Sequence, residues 1–312
     1  MASTPSPAVV DLLTRPLLAE GSVYERLRRH PDVPFDAHVG TGALVLDDRY
    51  RDVLADVHRG YMAIGVGHGL PMLLQTDTWR ATGARTDASV WRGADLNRAN
   101  VELVRTVADE GRRRGGTVVV GGLLGPAGDA YLPRDALSRE DARRYHAAQA
   151  EALAATGVDL LLCATLPALS EAQGLAAALG ATGLPYLIGF VVRPTGRLLD
   201  GTPLDEAIAS IDEGSGPPPL AYFLNCVHPQ VAAAALAASP LGRERVTGLL
   251  ANTSARDPDE LDGLDELEGA EPESFGGEVV TVGRRYGLNL LGGCCGTDDA
   301  HIAAIARLLS HT

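Results

Sequence analysis

Eight short apolar runs, each followed by a stretch of helical character, set the rhythm of this chain and narrow its fold more than any other feature. The runs are PLLAE (16–20), MLLQT (72–76), TVVVGGLL (117–124), VDLLLC (158–163), PYLIGFVV (185–192), LAYFLNC (220–226), VTGLLAN (246–252) and LNLLGGC (288–294). They are apolar throughout instead of alternating, the pattern of parallel strands covered on both faces. Helical stretches lie between them at 47–65, 95–115, 138–157, 169–183, 203–213, 229–239 and 274–287, with a last one at 298–310. Ser138 and Asp141 open the third with capping-box spacing. Eight strand–helix units in 312 residues predict an α/β fold, a (β/α)8 TIM barrel in a single domain spanning 1–312. The alternative is a doubly wound open sheet, which usually needs fewer strands, and no G-x-G-x-x-G follows the first run. Stretches rich in Pro, Gly and acid at 212–219 and 253–273 are expected to be loops.

Composition excludes several function classes. Forty acidic residues against 27 Lys and Arg give a net charge of −13, a surface that repels phosphate backbones and argues against nucleic acid as partner. No apolar run approaches the length of a membrane span. The N-terminus, MASTPSPAVVDLLTRP, lacks the basic stretch and apolar core of a secretory signal. The four cysteines, Cys163, Cys226, Cys294 and Cys295, are too few to staple a chain of this size. A reducing, cytoplasmic setting follows as the expectation.

Half of those cysteines are adjacent, in LGGCCGT (291–297). A Cys294–Cys295 disulfide is disfavoured, because consecutive Cα atoms stand about 3.8 Å apart whereas disulfides want roughly 4.4–6.8 Å. Burial of both thiols as small apolar groups is one remaining reading. Consecutive strand residues point to opposite faces, so burying both equally requires an irregular backbone. Gly292, Gly293 and Gly296 would supply it, and would equally let both thiolates turn toward one point. In a barrel, Cys226 at the end of the sixth run lies on the same rim with one strand between, so three thiols could meet there. Soft thiolates point to Zn2+, and three protein ligands leave the fourth position open to a substrate thiol, held as thiolate. The spacing alone leaves the buried pair and the metal both open.

LNCVHP (224–229) taken with LGGCCGT resembles the homocysteine S-methyltransferase family, which includes betaine–homocysteine methyltransferase and the homocysteine module of methionine synthase. Other stretches follow the family in order. They are LLAEGSVYERL (17–27), LLQTDTWRAT (73–82) against Q-T-x-T-[FY]-x-A-S, GLLGPAGDAY (122–131), DLLLCATLPALSEAQ (159–173), DGTPLDEAI (200–208), LLANTS (249–254) and DDAHIAAIA (298–306). The match covers nearly the whole chain. It implies a zinc-containing barrel with Cys226, Cys294 and Cys295 at the ligand positions. It further implies methyl transfer to homocysteine from a donor such as S-methylmethionine, S-adenosylmethionine, betaine or a methylated cofactor.

The sequence departs from the family twice. The acidic residue ending the first strand is Glu20 where the family has Asp, with Gly21-Ser22 for Gly-Gly. Ala164, in CATLP, replaces the family Glu that binds the amine of homocysteine. A changed thiol acceptor is therefore expected, with Glu20 anchoring an amine or other positive group. Gly21, Thr76, Trp79 and Asn225 are the further candidates for substrate binding. Trp79 could wall a sulfonium or ammonium donor or serve packing alone; Asn225 and Asn252 are expected chiefly to brace the rim. Cys163 reads as a small core residue, His228 as a residue that could orient a loop or donate to the site, and the acidic 256–272 loop as solvated surface or, more sharply, a lid. No attached cobalamin or folate module is expected, which favours a small donor; a homo-oligomer is left open. A zinc barrel that binds a thiol or a protein partner without turnover is the second function class, and a metal-free barrel with buried thiols the third.

Overall fold

The computed structural model describes residues 11–28, 30, 32–214, 216–255 and 269–310. Its centre is a closed parallel barrel of eight strands in sequential order. They are β1 (Leu17–Ala19), β2 (Met72–Gln75), β3 (Val118–Leu124), β4 (Leu160–Leu166), β5 (Tyr186–Phe190), β6 (Ala221–Val227), β7 (Val246–Ala251) and β8 (Leu290–Gly293). The ring closes through β1, which pairs with β8 at Leu17–Leu290 and with β2 at Leu18–Met72. Eight helices follow the strands: α1 (Asp48–Gly67), α2 (Leu96–Arg113), α3 (Arg139–Ala155), α4 (Leu169–Ala181), α5 (Leu204–Asp212), α6 (Pro229–Ala238), α7 (Pro272–Tyr286) and α8 (Asp299–Ser310). All eight expected units are present, and among the described residues no helix is long and apolar enough to cross a membrane.

Local chemistry sets the boundaries. The side chains of Asp47, Asp95 and Ser138 accept hydrogen bonds from first-turn N–H groups of α1, α2 and α3, satisfying donors that a helix start leaves orphaned. Gly287, at φ 70°, ends α7 in the left-handed conformation that glycine adopts without penalty. Burial on both strand faces explains the unbroken apolar runs. Along β6, Ala221 and Phe223 fill the barrel with Leu73, Leu162 and Leu290, while Tyr222 and Leu224 pack outward under the helices.

Three details differ from the sequence expectation. The run 185–192 ends as a barrel strand at Phe190, and Val192–Arg193 instead forms an antiparallel ribbon with Arg197–Leu198. Strands β4 and β6 run past residues 163 and 226, each through a register shift near its C-terminal end. Short helices at Val23–Arg28, Gly83–Ala88 and Pro240–Arg245, too brief for a periodic signal, lie in connections. Of the expected 253–273 loop, residues 253–255 and 269–271 are outside helices and strands; most of the 256–272 segment lies outside the described residues.

Candidate metal centre

The register shifts in β4 and β6 carry the only two non-glycine residues with positive φ among the described residues, Thr165 at 66° and Cys226 at 56°. Each left-handed residue costs on the order of 1–3 kcal/mol and persists only where neighbours hold it. Asn225, the residue before Cys226, does so for Thr165. Its Oδ1 accepts from the Thr165 N–H at 2.9 Å and its Nδ2 donates to Thr165 Oγ1 at 2.8 Å. Strict alternation would send Cys226 outward with Tyr222 and Leu224; the left-handed turn brings its sulfur onto the rim.

There it meets the pair from β8. The sulfurs of Cys226, Cys294 and Cys295 lie within 4.8 Å of one another, and Cys226 Sγ stands 3.4 Å from Cys295 Sγ. Gly296, at φ 84°, makes the turn that follows the pair, and a side chain at Gly293 would collide with Thr297. Thr297 Oγ1 donates to the Cys294 carbonyl at 2.6 Å, and the Cys294 N–H reaches the Ala251 carbonyl on β7 at 2.7 Å. Hydrogen bonds from the Cys294 and Cys295 thiols hold Cys226 well below the ordinary thiol range, with further help from Tyr131 and Asn252; the same bonds push Cys294 and Cys295 up. The three groups share protons as one unit.

Three sulfurs each about 2.3 Å from one centre at tetrahedral angles would stand about 3.8 Å apart. The observed spread brackets that spacing, and an all-sulfur donor set suits Zn2+. The residues therefore fit the metal. Cys163 does not join them; it is fully buried among the apolar side chains between barrel and helices, and burial pushes its thiol up. His228 caps α6, accepting the Gln230 N–H on Nδ1 at 3.3 Å.

The sulfurs line a cavity of about 940 Å³ at the C-terminal ends of the strands, where barrel chemistry gathers. All the expected substrate-side residues, Glu20, Gly21, Thr76, Trp79 and Asn225, line it too, as does Ala164. Their contacts separate them. Thr76 Oγ1 accepts the Leu123 N–H at 3.0 Å and bonds Thr78 Oγ1 at 2.7 Å, so it braces β2 against β3. Gly21 is needed because a Cβ would stand 2.8 Å from the Tyr61 hydroxyl. Trp79 packs over Gly125, donates from Nε1 to the Ala164 carbonyl at 3.4 Å and carries the Arg80 guanidinium 4.7 Å from its ring centre.

Glu20 is already engaged by the protein itself. It is fully buried and both oxygens are used: Oε1 meets His58 Nδ1 at 2.6 Å and Oε2 accepts the Gln75 N–H at 2.7 Å. His58 Nε2 meets Asp77 Oδ2 at 2.9 Å, and Asp77 Oδ1 accepts from Thr41 Oγ1 at 3.2 Å. Burial opposes the imidazolium, but the charge of Glu20 and the hydrogen bonds that the ring donates to both carboxylates outweigh it and raise His58 to about 10. Burial raises Glu20 above its usual value, with His58 opposing. The positive group that Glu20 anchors is thus His58, within the protein.

Sequence reasoning missed this triad and also Tyr131, whose hydroxyl lies 2.7 Å from Cys226 Sγ. Burial first, then the negative field of Cys226, pushes the Tyr131 phenol up, so it remains a donor. One signal was present: His58 falls on the buried stripe of α1, between Leu54 and Tyr61, where a polar residue needs a partner.

The homocysteine S-methyltransferase family model matches residues 17–309. The chain is 29% identical over 278 residues to homocysteine S-methyltransferase of Escherichia coli K12, covering 81% of this chain and 83% of that protein. It is 25% identical over 284 residues to betaine–homocysteine S-methyltransferase 1 of Bos taurus, covering 83% of this chain and 64% of the other. Among solved structures, the metallated form of the homocysteine methyltransferase MmuM from Escherichia coli superposes with a TM-score of 0.73 at 26% identity, covering 98% of this chain and 100% of that one.

Proposed function

The chain belongs to the homocysteine S-methyltransferase family, and from that premise we propose that the whole chain, 1–312, serves as one barrel-shaped enzyme moving a methyl group from a small sulfonium or ammonium donor to a thiol. The observation that carries this reading is the convergence of three sulfurs at the floor of a cavity large enough for both substrates. Cys226, Cys294 and Cys295 would hold Zn2+. Bound there, zinc would keep an acceptor thiol in its nucleophilic thiolate form near neutral pH. A metallated form of the Escherichia coli relative is in keeping with a metal-binding barrel.

The protein's own residues do the rest. Asn225 and Thr165 fix the strained backbone that aims Cys226, and Tyr131 donates to its sulfur. The cavity holds the two reactants in line, which is the main contribution to rate. The acceptor sulfur forms a bond to the methyl carbon as the donor S–CH3 or N–CH3 bond breaks. That bond's electron pair goes to the donor heteroatom and the acceptor's thiol proton to solvent. Donors of the S-methylmethionine, S-adenosylmethionine or betaine kind fit this step, in a reducing cytoplasm. The acceptor is homocysteine or, because Ala164 stands where a carboxylate is expected, a thiol recognised differently at its amine.

Mass-spectrometric detection of methylated product from a panel of thiols and donors tests the reading, and bound metal without product from any pair would favour a zinc-bearing thiol binder. Two variants sharpen it. Ala164→Glu, supplying one charge-assisted hydrogen bond of about 1.5–3 kcal/mol, is expected to lower KM for homocysteine roughly ten- to a hundredfold. Unchanged KM would remove position 164 from amine recognition. Tyr131→Phe is expected to weaken metal binding about tenfold or more in competition with a chelator, as losses of a ligand's hydrogen-bond partner do.

A further inference from the structure

Two arginines line the cavity, and the chain treats them differently. Arg28 pairs with Glu25 at 3.6 Å. Arg80 is half-buried and, among the described residues, its guanidinium makes no ion pair and donates no hydrogen bond. Burial first, then the field of Arg85, pulls Arg80 below its ordinary value, with Asp129 opposing; the charge sits where it is undercompensated. Its orientation is set in advance by the Trp79 ring, itself fixed over Gly125 and tied to the Ala164 carbonyl. A planar cation so placed offers a two-pronged fork to a carboxylate with little ordering cost.

The acidic side of the cavity is the reverse. Glu20 and Asp77 are both committed to His58, and Asp129 Oδ1 accepts the Tyr131 N–H at 2.8 Å. Position 164 contributes a methyl group. A ligand ammonium finds few free partners, whereas a ligand carboxylate finds one ready.

We propose that Arg80, stacked on Trp79, receives the carboxylate of the acceptor, and that the acceptor class is a thiol carboxylate whose recognition does not depend on an α-ammonium group. This rests on the methyltransferase reading. A donor such as S-methylmethionine also carries a carboxylate, so the test separates the two sources. Arg80 occupies the second of the two unspecified positions of the Q-T-x-T-[FY]-x-A-S stretch, where a chain-specific determinant can sit without disturbing the motif.

The experiment is calorimetric titration of the zinc-reconstituted protein with homocysteine, its desamino analogue and its decarboxylated analogue, alongside KM values for acceptor and donor. The desamino analogue is expected to bind at least as tightly as homocysteine, and the decarboxylated one roughly ten- to a hundredfold more weakly. Arg80→Gln should weaken both carboxylate thiols by that factor and leave the decarboxylated analogue and the donor KM unchanged. Arg80→Lys should recover part of the loss. Homocysteine binding tenfold tighter than its desamino analogue would overturn the proposal, as would an Arg80→Gln effect confined to the donor KM. If no thiol is methylated yet carboxylate thiols still bind in an Arg80-dependent way, the methyltransferase reading fails while the assignment of Arg80 stands.

Discussion

Cys226→Ser is expected to leave the purified protein with little or no bound metal and to reduce methyl transfer accordingly. Structural zinc binds with about 10–16 kcal/mol in small peptide sites, so each of roughly four ligands accounts for about 3 kcal/mol or more. Losing one lowers affinity at least about a hundredfold, and a serine hydroxyl is a poor substitute for thiolate. The effect should exceed that of a typical site substitution because Cys226 is the sulfur that Tyr131, Asn252 and both partner thiols stabilise as the anion. Metal content by elemental analysis and activity with the best thiol are the readouts, with thermal unfolding as the check on folding. Cys163→Ser, in the apolar layer, is the control and should keep its metal. One equivalent of zinc in Cys226→Ser, or none in the wild-type protein purified without chelator, would refute the metal centre.

His58→Ala is expected to cost about 3–5 kcal/mol of stability, the usual result when one member of a buried ionic cluster is removed and the others stay buried. Here Glu20 and Asp77 would face one another with only the Gln75 N–H and the Thr41 hydroxyl left to them. Urea unfolding measures the loss. The same cluster gives the protein a pH signature. His58 lies at about 10 in the fold against an ordinary 6.5, so its stabilisation is full below about 6.5 and is lost as pH rises from there through about 10. Burial of Glu20 raises its value too, which likewise withdraws stability as pH rises. Stability should therefore fall across that window in the wild type and fall less steeply in His58→Gln. A loss below about 1 kcal/mol in His58→Ala would mean that the cluster carries no net charge coupling.

The parts of this molecule that sequence revealed are those written in local pattern. Two-sided burial makes a parallel strand an uninterrupted apolar run, so all eight strands were visible, even β1 with three residues. The adjacent cysteines were visible because their spacing is odd, and topology alone brought Cys226 to the same rim. What stayed hidden depends on contacts across the closed barrel. Tyr131 reaches Cys226 from a loop 95 positions earlier, and nothing near it in the chain announces a sulfur partner. The partners of Glu20 stayed hidden too, because its own segment says nothing of His58 on α1 or Asp77 beyond β2. The left-handed turns at Thr165 and Cys226 were equally illegible, since neither residue type favours that conformation and the Asn225 bridge to Thr165 comes from 60 positions away.

The placement of the three sulfurs also bears on how the fold opens. Cys226 ends β6, whereas Cys294 and Cys295 follow β8. A cation held between them would clasp β6 to β8, with β7 between them in the ring. Ligands that bind only the native state suppress the openings that break their site. Amide hydrogens in β6, β7 and β8 should therefore exchange more slowly in the metal-bound protein than in chelator-treated protein, while those of β2 and β3, across the ring, should change least. Strands β6, β7 and β8 would owe part of their local rigidity to an atom that the polypeptide does not encode.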